Sequence, residues 1–368
     1  RGDPRAMNQP PSPLERGAAF LCLAGAAGLL ALPLANPDLF WHLSAGRWAA
    51  THLAPPAVDW LSHTKAGEPW ADFEWLAQRA DYLTLKAGGL TALWVLKAAV
   101  LAGACAVLWR LLSRLGVGPA GRGLGVFVWL LASPSANDLR PENLSLVFFL
   151  ILLSRLEAMR LEERPDARRG ELAVMALLFA LWANLHAGFV YGVGLLVLYG
   201  GAAAWRVRSP RPLAPSALAA AAVLANPYGF QVWTVPYEHW TAIADLQRYI
   251  LEWQEASVLS PWLAPLWTLM VLSFTALALR RVRTGAAPIE HAGLLAALAW
   301  SASTHVRTAP YFAAAAVPVT AACLAASLGP AARRRLGVAG ALAAAAYFGV
   351  LYRPVFRVRP ALRPGPGV

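Results

Sequence analysis

The sequence predicts an all-α polytopic membrane protein, and three observations carry that reading. Of its 368 residues 58% are apolar and only 14% are charged, with a mean hydropathy of +0.48. Soluble domains carry about 25% charged residues. The apolar residues gather in runs of roughly 15 to 22, the length a helix needs to cross hydrocarbon. The basic residues fall in short clusters between those runs.

In chain order the runs lie at 17–35, 90–112, 123–136, 144–158, 171–187, 189–205, 213–230, 262–280, 288–303, 310–328 and 337–352. They make about eleven transmembrane helices in one domain spanning 17–352, with some runs short enough to be half-spans. Residues 1–16 are expected to be a disordered leading segment, those before Met7 reading as an upstream remnant. Between the first two runs, 36–88 forms a long polar loop rich in Trp. The runs 171–187 and 189–205 nearly abut, which predicts a tight helical hairpin around Asn184 to Phe189. The Pro-rich and Arg-rich 353–368 reads as a tail or linker. A signal peptide ending near Leu34-Ala35 is the alternative for the first run. The length of the run, the position of Pro33 and the modest size of the following loop favour a retained span.

The net charge of +12 raises nucleic acid as a partner, and its distribution excludes it. Seventeen of the 32 Lys and Arg residues sit in five clusters around Arg110–Arg122, Arg155–Arg169, Arg206–Arg211, Arg280–Arg283 and Arg333–Arg335. Such clusters mark cytoplasmic loops and touch anionic headgroups. The opposite loops hold seven: Arg47, Lys65, Arg79, Lys86, Arg140, Arg248 and Arg307. The N-terminus is therefore expected inside and the 36–88 loop outside. An odd number of spans leaves the basic tail outside, against the rule, so either one run is not a full span or the tail leads into a further domain. Cys22, Cys105 and Cys323 all lie in apolar runs without CxxC spacing, which reads as packing. GxxxxGK[ST], HExxH and GxSxG are absent from the sequence. Gly116-Val-Gly118 and Gly121-Arg-Gly123-Leu-Gly125 follow no strand and read as flexible connection.

Polar residues concentrate on the outer side. The first loop carries Asp38, His42, Arg47, Asp59, His63, Glu68, Asp72 and Glu74; the second carries Asp138, Arg140, Glu142 and Asn143. Further groups are Trp182-Ala-Asn184-Leu-His186, then Asn226-Pro-Tyr228-Gly229 through Glu238-His239 to Glu252-Trp253-Gln254-Glu255, then His305-Val-Arg307. Ionisable groups at membrane depth are costly and normally line a bundle interior or an aqueous cavity. Asp38, at the end of the first run beside Trp41 and His42, is placed to accept a proton from an incoming hydroxyl. Arg140, Arg307 or Arg47 match the oxygens of a lipid phosphate or pyrophosphate. Several of these residues have plainer readings. The loop tryptophans suit a bilayer interface, Asp72 and Glu74 read as the polar edge of an interfacial helix, and His186 suits a packing hydrogen bond.

The run Asn36-Pro-Asp38-Leu-Phe-Trp41-His42-Leu-x-x-Gly46, with Asp59, Ser62, Thr64, Gly67, Pro69-Trp70 and Glu74-Trp75-Leu76 after it, resembles bacterial integral-membrane proteins of the GT-C glycosyltransferase superfamily type. Arg140-Pro141, Trp182-Ala-Asn184-Leu-His186, Asn226-Pro-Tyr228-Gly229, Glu252-Trp253-Gln254 and Arg307 extend the likeness over about residues 20–320. Members typically read Asp-Pro-Asp-x-Trp-Trp-His where this chain begins with Asn36, which weakens a metal-binding pair of carboxylates. The resemblance implies a multi-pass protein of the inner membrane whose first outer loop bears amphipathic helices. It implies transfer of a sugar from a polyprenyl-linked donor, as in oligosaccharyltransferases and protein O-mannosyltransferases. Asp38 would then be the general base, with Asp138 or Glu142 orienting substrate or a divalent cation. Arg140 and Arg307 would hold the donor phosphate, and His42, Asn184 and His186 would line the pocket. The two guanidinium groups are expected to meet near Asp38 free of protein carboxylates, against the alternative of a private salt bridge from Arg140 to Glu142 or Asp138. A non-catalytic membrane subunit, transporter or lipid-linked-glycan carrier is the rival. Membrane lipid and a partner membrane subunit are the remaining expected partners.

Single cysteines at positions 62 and 168 test the topology. Impermeant reagent in intact cells should label the first and spare the second, and external labelling at 168 would overturn the arrangement.

Overall fold

The computed structural model describes residues 10–241 and 247–353, so the expectations for 1–9 and 354–368 lie outside the described residues. Every regular element described is helical; the one strand-like feature is an isolated bridge between Val58 and Pro69. Six helices are long and apolar enough to cross a membrane, with Pro119–Leu131 a shorter apolar one, so this is an all-α membrane protein.

Helix α1, Pro13–Leu30, starts at a capping box in which the Glu15 N–H donates to Ser12 Oγ (3.2 Å) and Glu15 Oε2 accepts from the Ser12 N–H (2.9 Å). Its buried stripe, Ala18, Cys22, Ala26 and Leu29, packs on α4, Pro119–Leu131, and on α13, Pro330–Leu351. Gly123 lets α1 and α4 approach closely, because a Cβ there would stand 3.1 Å from the Ala19 carbonyl oxygen. Helix α2, Leu39–His52, lies along the beginning of α3, Trp75–Arg114. Helix α3 is broken where Gly88 leaves helical geometry and Gly89 takes φ 66°, a conformation open to glycine. The break divides it into a loop-borne part, 75–87, and the expected apolar run from 90.

Beyond α4 come α5, Glu142–Leu161; α6, Arg169–Leu185; α7, Phe189–Val207; α8, Ala214–Ala222; α9, Thr234–Thr241; α10, Ala264–Thr284; α11, Ile289–Thr304; and α12, Ala309–Ser327. The hairpin at Asn184 to Phe189 forms as expected, with His186 to Gly188 between α6 and α7. The run 213–230 does not form a full-length helix. Arg208 turns the chain left-handed (φ 56°), Pro212 packs on Gly200 of α7, and α8 thus starts part-way along α7. Its nine residues rise about 13 Å. Asn226-Pro227 then stops it, with Asn226 Oδ1 accepting from the Tyr228 N–H at 2.8 Å.

The Arg clusters gather at one end of the bundle, at the end of α3, α5, α7 and α10 and the start of α4, α6 and α13. Ion pairs join these termini: Arg155 and Arg164 to Glu171, Arg206 to Glu290 (3.0 Å) and Arg334 to Glu15 (3.7 Å). The opposite, Arg-poor end collects the 36–88 loop, the start of α5, the α6–α7 turn and the start of α12. At the centre runs α12, whose Ala313 to Ala316 are wholly buried; small side chains there let α4, α5, α10 and α11 close around it.

Gly46 of α2 is pressed against the Gln78 carbonyl of α3, inside the space a Cβ would need. Gly46→Ala should therefore destabilise the protein by about 1–3 kcal/mol, the usual cost of overpacking. Gly103→Ala, with open space around it, should be neutral or slightly stabilising. Thermal unfolding of both variants in detergent checks the pair.

Candidate functional site

The site forms at the Arg-poor end, where the chain leaving α1 is tied down before α2 begins. Trp94 Nε1 and Lys97 Nζ donate to the Leu32 carbonyl, and the Ala35 N–H donates to Asp138 Oδ2 at 2.8 Å. Asn36 is buried. Its Nδ2 donates to the Leu139 carbonyl (3.3 Å), and its Oδ1 accepts from the Asp38 N–H (3.1 Å) and from Arg140 (3.5 Å). That turn sets Asp38 at the head of α2, half-buried, with no hydrogen bond or ion pair to its carboxylate among the described residues.

The close α2–α3 contact at Gly46 brings the buried His42 to Gln78, with Nε2 of the amide 3.3 Å from Nδ1 of the ring. Glu74, at the head of α3 and 5% exposed, stands between two histidines: Oε2 is 3.5 Å from His42 Nδ1 and Oε1 is 3.4 Å from His186 Nε2. His186 Nδ1 accepts from the Gly188 N–H at 2.9 Å, so the ring carries its proton on Nε2, facing Glu74. Ser145 Oγ, 2.9 Å from the same Nδ1, takes the indole N–H of Trp182 at 2.7 Å. Gly188 is required here, because a Cβ would lie 2.5 Å from both Ser145 Oγ and the Tyr311 hydroxyl.

Beside this cluster stand two arginines and two glutamates. Arg140 grips Glu252 with both Nη atoms, the Nη1–Oε2 distance being 2.8 Å. Arg307 lies 3.4 Å from Glu142 and 3.7 Å from Glu252, with its guanidinium 5.6 Å from the Trp253 ring centre. The two guanidinium groups converge on Glu252. The expectation that they stand free of carboxylates is overturned, and Arg140 chooses neither Glu142 nor Asp138. Burial, with the positive charges of Arg140 and Arg307 adding to it, pushes His42 down to about 3, so it is neutral. Burial drives Glu74 up to about 8; Arg307 opposes this, and the charges of Asp72 and Glu142 reinforce it. Asp72, also buried, is raised to about 7.

Not every expected residue joins the cluster. Asp138 is occupied by the N–H groups of Ala35 and Leu139 and serves as a tether. The Asn184 amide is fully engaged, accepting from Trp75 Nε1 (3.0 Å) and donating to the carbonyls of Ala180 (2.7 Å) and Ala225 (2.8 Å). Arg47 is exposed and makes no ion pair among the described residues. Asp72 and Glu74 are not an interfacial edge: both are buried, and Glu74 is central. The signal for Glu74 was its place between Phe73 and Trp75, ahead of an apolar stretch; Glu252 carried none beyond its neighbour Trp253. Among the described residues no group of three or more His, Cys, Asp or Glu side chains is arranged to hold a metal ion. Compared with family models, curated proteins and solved structures, the chain matches none.

A carboxyl group that is raised when folded holds its proton while the unfolded chain releases it. Stability tied to Glu74 is therefore present below the ordinary carboxylate range and is lost as pH rises toward about 8. His42 acts oppositely, withdrawing stability as pH falls from its ordinary value toward about 3. Glu74→Gln should flatten the decline in Tm between about pH 5 and 8 while leaving the acid limb in place. An unchanged slope would show that Glu74 does not titrate in that window.

Proposed function

We propose that the chain is a GT-C-type membrane glycosyltransferase that moves a sugar from a polyprenyl-linked donor to an acceptor on the outer, periplasmic face of a bacterial inner membrane. The observation that supports this most is the convergence at the Arg-poor end of ionisable side chains from six separated segments: His42, Glu74, Arg140 with Glu142, His186, Glu252 and Arg307. Charged groups at that depth are expensive and are retained where a site needs them. Six helices are long and apolar enough to cross a membrane, and the fuller count of about eleven passes belongs to this reading. The positive-inside rule puts the Arg-poor end outside.

On this reading the unpaired Asp38 carboxylate takes the proton of the acceptor hydroxyl as its oxygen attacks the anomeric carbon. The bond from that carbon to the donor phosphate oxygen breaks, and the phosphate leaves with the electron pair. Arg140 and Arg307 meet the new charge, their planar forks fitting phosphate oxygens as well as carboxylates. Asn36 offers no charge to a divalent cation, so the arginines carry the greater part of the phosphate recognition.

A second reading, a non-catalytic membrane subunit or lipid-linked-glycan carrier, is favoured by the Arg140–Glu252 pair, which occupies both Nη atoms of the guanidinium without any ligand. The two readings part at Asp38. In proteoliposomes supplied with polyprenyl-phosphate sugars, Asp38→Asn should keep its fold and lose transfer by about 10²-fold or more, the usual scale of general-base catalysis. Undiminished transfer removes Asp38 from the mechanism, and a folded wild type inert with every donor supports the non-catalytic reading.

A further inference from the structure

At the Arg-rich end a groove of about 460 Å³ opens between the last turns of α3, the second half of α5 and the first half of α6. Its order along the bundle is the same on all three helices. On α3, Val107 precedes Arg110 and Arg114; on α5, Ile151 precedes Arg155; on α6, running the other way, Leu178 and Val174 follow Glu171. Spacings of three and four residues put each set on one helix face. The deep part of the groove is thus aliphatic, with Ile151 40% and Val174 63% exposed, and its mouth is cationic.

The charge at the mouth is only partly matched. Arg155 pairs with Glu171, which Arg164 shares. Arg114 donates to the neutral Ser154 hydroxyl at 3.1 Å, so its charge is left over. Arg110 is exposed and makes no hydrogen bond or ion pair among the described residues. We propose that this groove binds one anionic phospholipid of the adjoining leaflet, its phosphate on Arg110 and Arg114 and one acyl chain along the wall from Val107 to Leu178. A soluble anion would leave the aliphatic wall bare, and a zwitterionic lipid would bring its own cation to a mouth already positive. Basic pockets between membrane helices on the cytoplasmic side suit anionic headgroups. The inference is independent of the glycosyltransferase reading, because groove and site lie at opposite ends of the bundle.

The test is native mass spectrometry of the full chain in detergent with phosphatidylglycerol or phosphatidylcholine of identical acyl chains. Phosphatidylglycerol should be retained in preference. Each basic residue near anionic lipid contributes about fivefold, so Arg110→Gln with Arg114→Gln should weaken retention by roughly twenty-five-fold. Val174→Trp, which fills the wall and leaves every charge, should also weaken it. Arg281→Gln with Arg283→Gln, elsewhere at the same end, should not. Equal retention of the two lipids, an unaffected Arg110/Arg114 double variant, an unaffected Val174→Trp, or an equal loss in the Arg281/Arg283 control would each overturn the proposal. Detergent Tm of every variant guards against unfolding, and for an unfolded double variant Arg110→Lys with Arg114→Lys replaces it, retention being expected to survive.

Discussion

The Arg-poor end depends on one shared carboxylate. Glu252 takes both Nη atoms of Arg140 and stands 3.7 Å from Arg307, so a single side chain joins the turn ahead of α5, the turn ahead of α12 and the segment before α10. Breaking such a pair by removing one partner costs about 3–5 kcal/mol when the remaining charge is buried. Other contacts lean on this one. Asn36 sets the head of α2 while accepting from Arg140, and Trp253 lies beside the Arg307 guanidinium because Glu252 is its neighbour in sequence.

The same two arginines shape the histidine–glutamate cluster. Their field and burial act in one direction on His42 and hold it neutral, but on Glu74 the field of Arg307 opposes burial and burial wins. Two groups 3.5 Å apart are thereby driven to about 3 and about 8, and both are uncharged near neutral pH. Ionisable neighbours whose environments push them apart in this way hold different affinities for a proton, the condition for separate acid and base roles. The proton on His186 Nε2 is directed at the other carboxyl oxygen, so both oxygens of Glu74 face a histidine.

The elements legible in the sequence are those whose cause is local. The start of the apolar run at 90 falls at the Gly88-Gly89 break in α3, and the short gap between two apolar runs marks the hairpin at His186. The shortness of α8 was not legible, because its start follows Pro212 packing on Gly200 rather than the composition of the run. In the site, Arg140, Arg307, Glu142, His42 and His186 were found from polarity at helix ends, and they do meet. Their partners were not, since Arg140 and Glu252 are 112 residues apart and no periodic pattern links them. Asp72 and Glu74 were misread for a related reason. A polar pair among tryptophans looks interfacial until the α2–α3 contact at Gly46 closes over it.

The two ends of the bundle treat charge differently, and the difference bears on how an anion would enter. At the Arg-rich end some cations stay unmatched at the surface. At the Arg-poor end Arg140 and Arg307 already hold carboxylates, so on the glycosyltransferase reading a phosphate binds by exchange. The two glutamates are unequal in that exchange. The Glu252 side chain is 26% exposed and can turn to water when displaced, whereas that of Glu142 is 9% exposed and would be left as a buried charge without a partner. On that reading Glu252 would be the ligand that leaves and Glu142 the one that stays. Arg307 would keep its position through Glu142 while Arg140 changed partner, and a phosphate taken up by Arg140 would lie beside Asn36, two residues in sequence from Asp38.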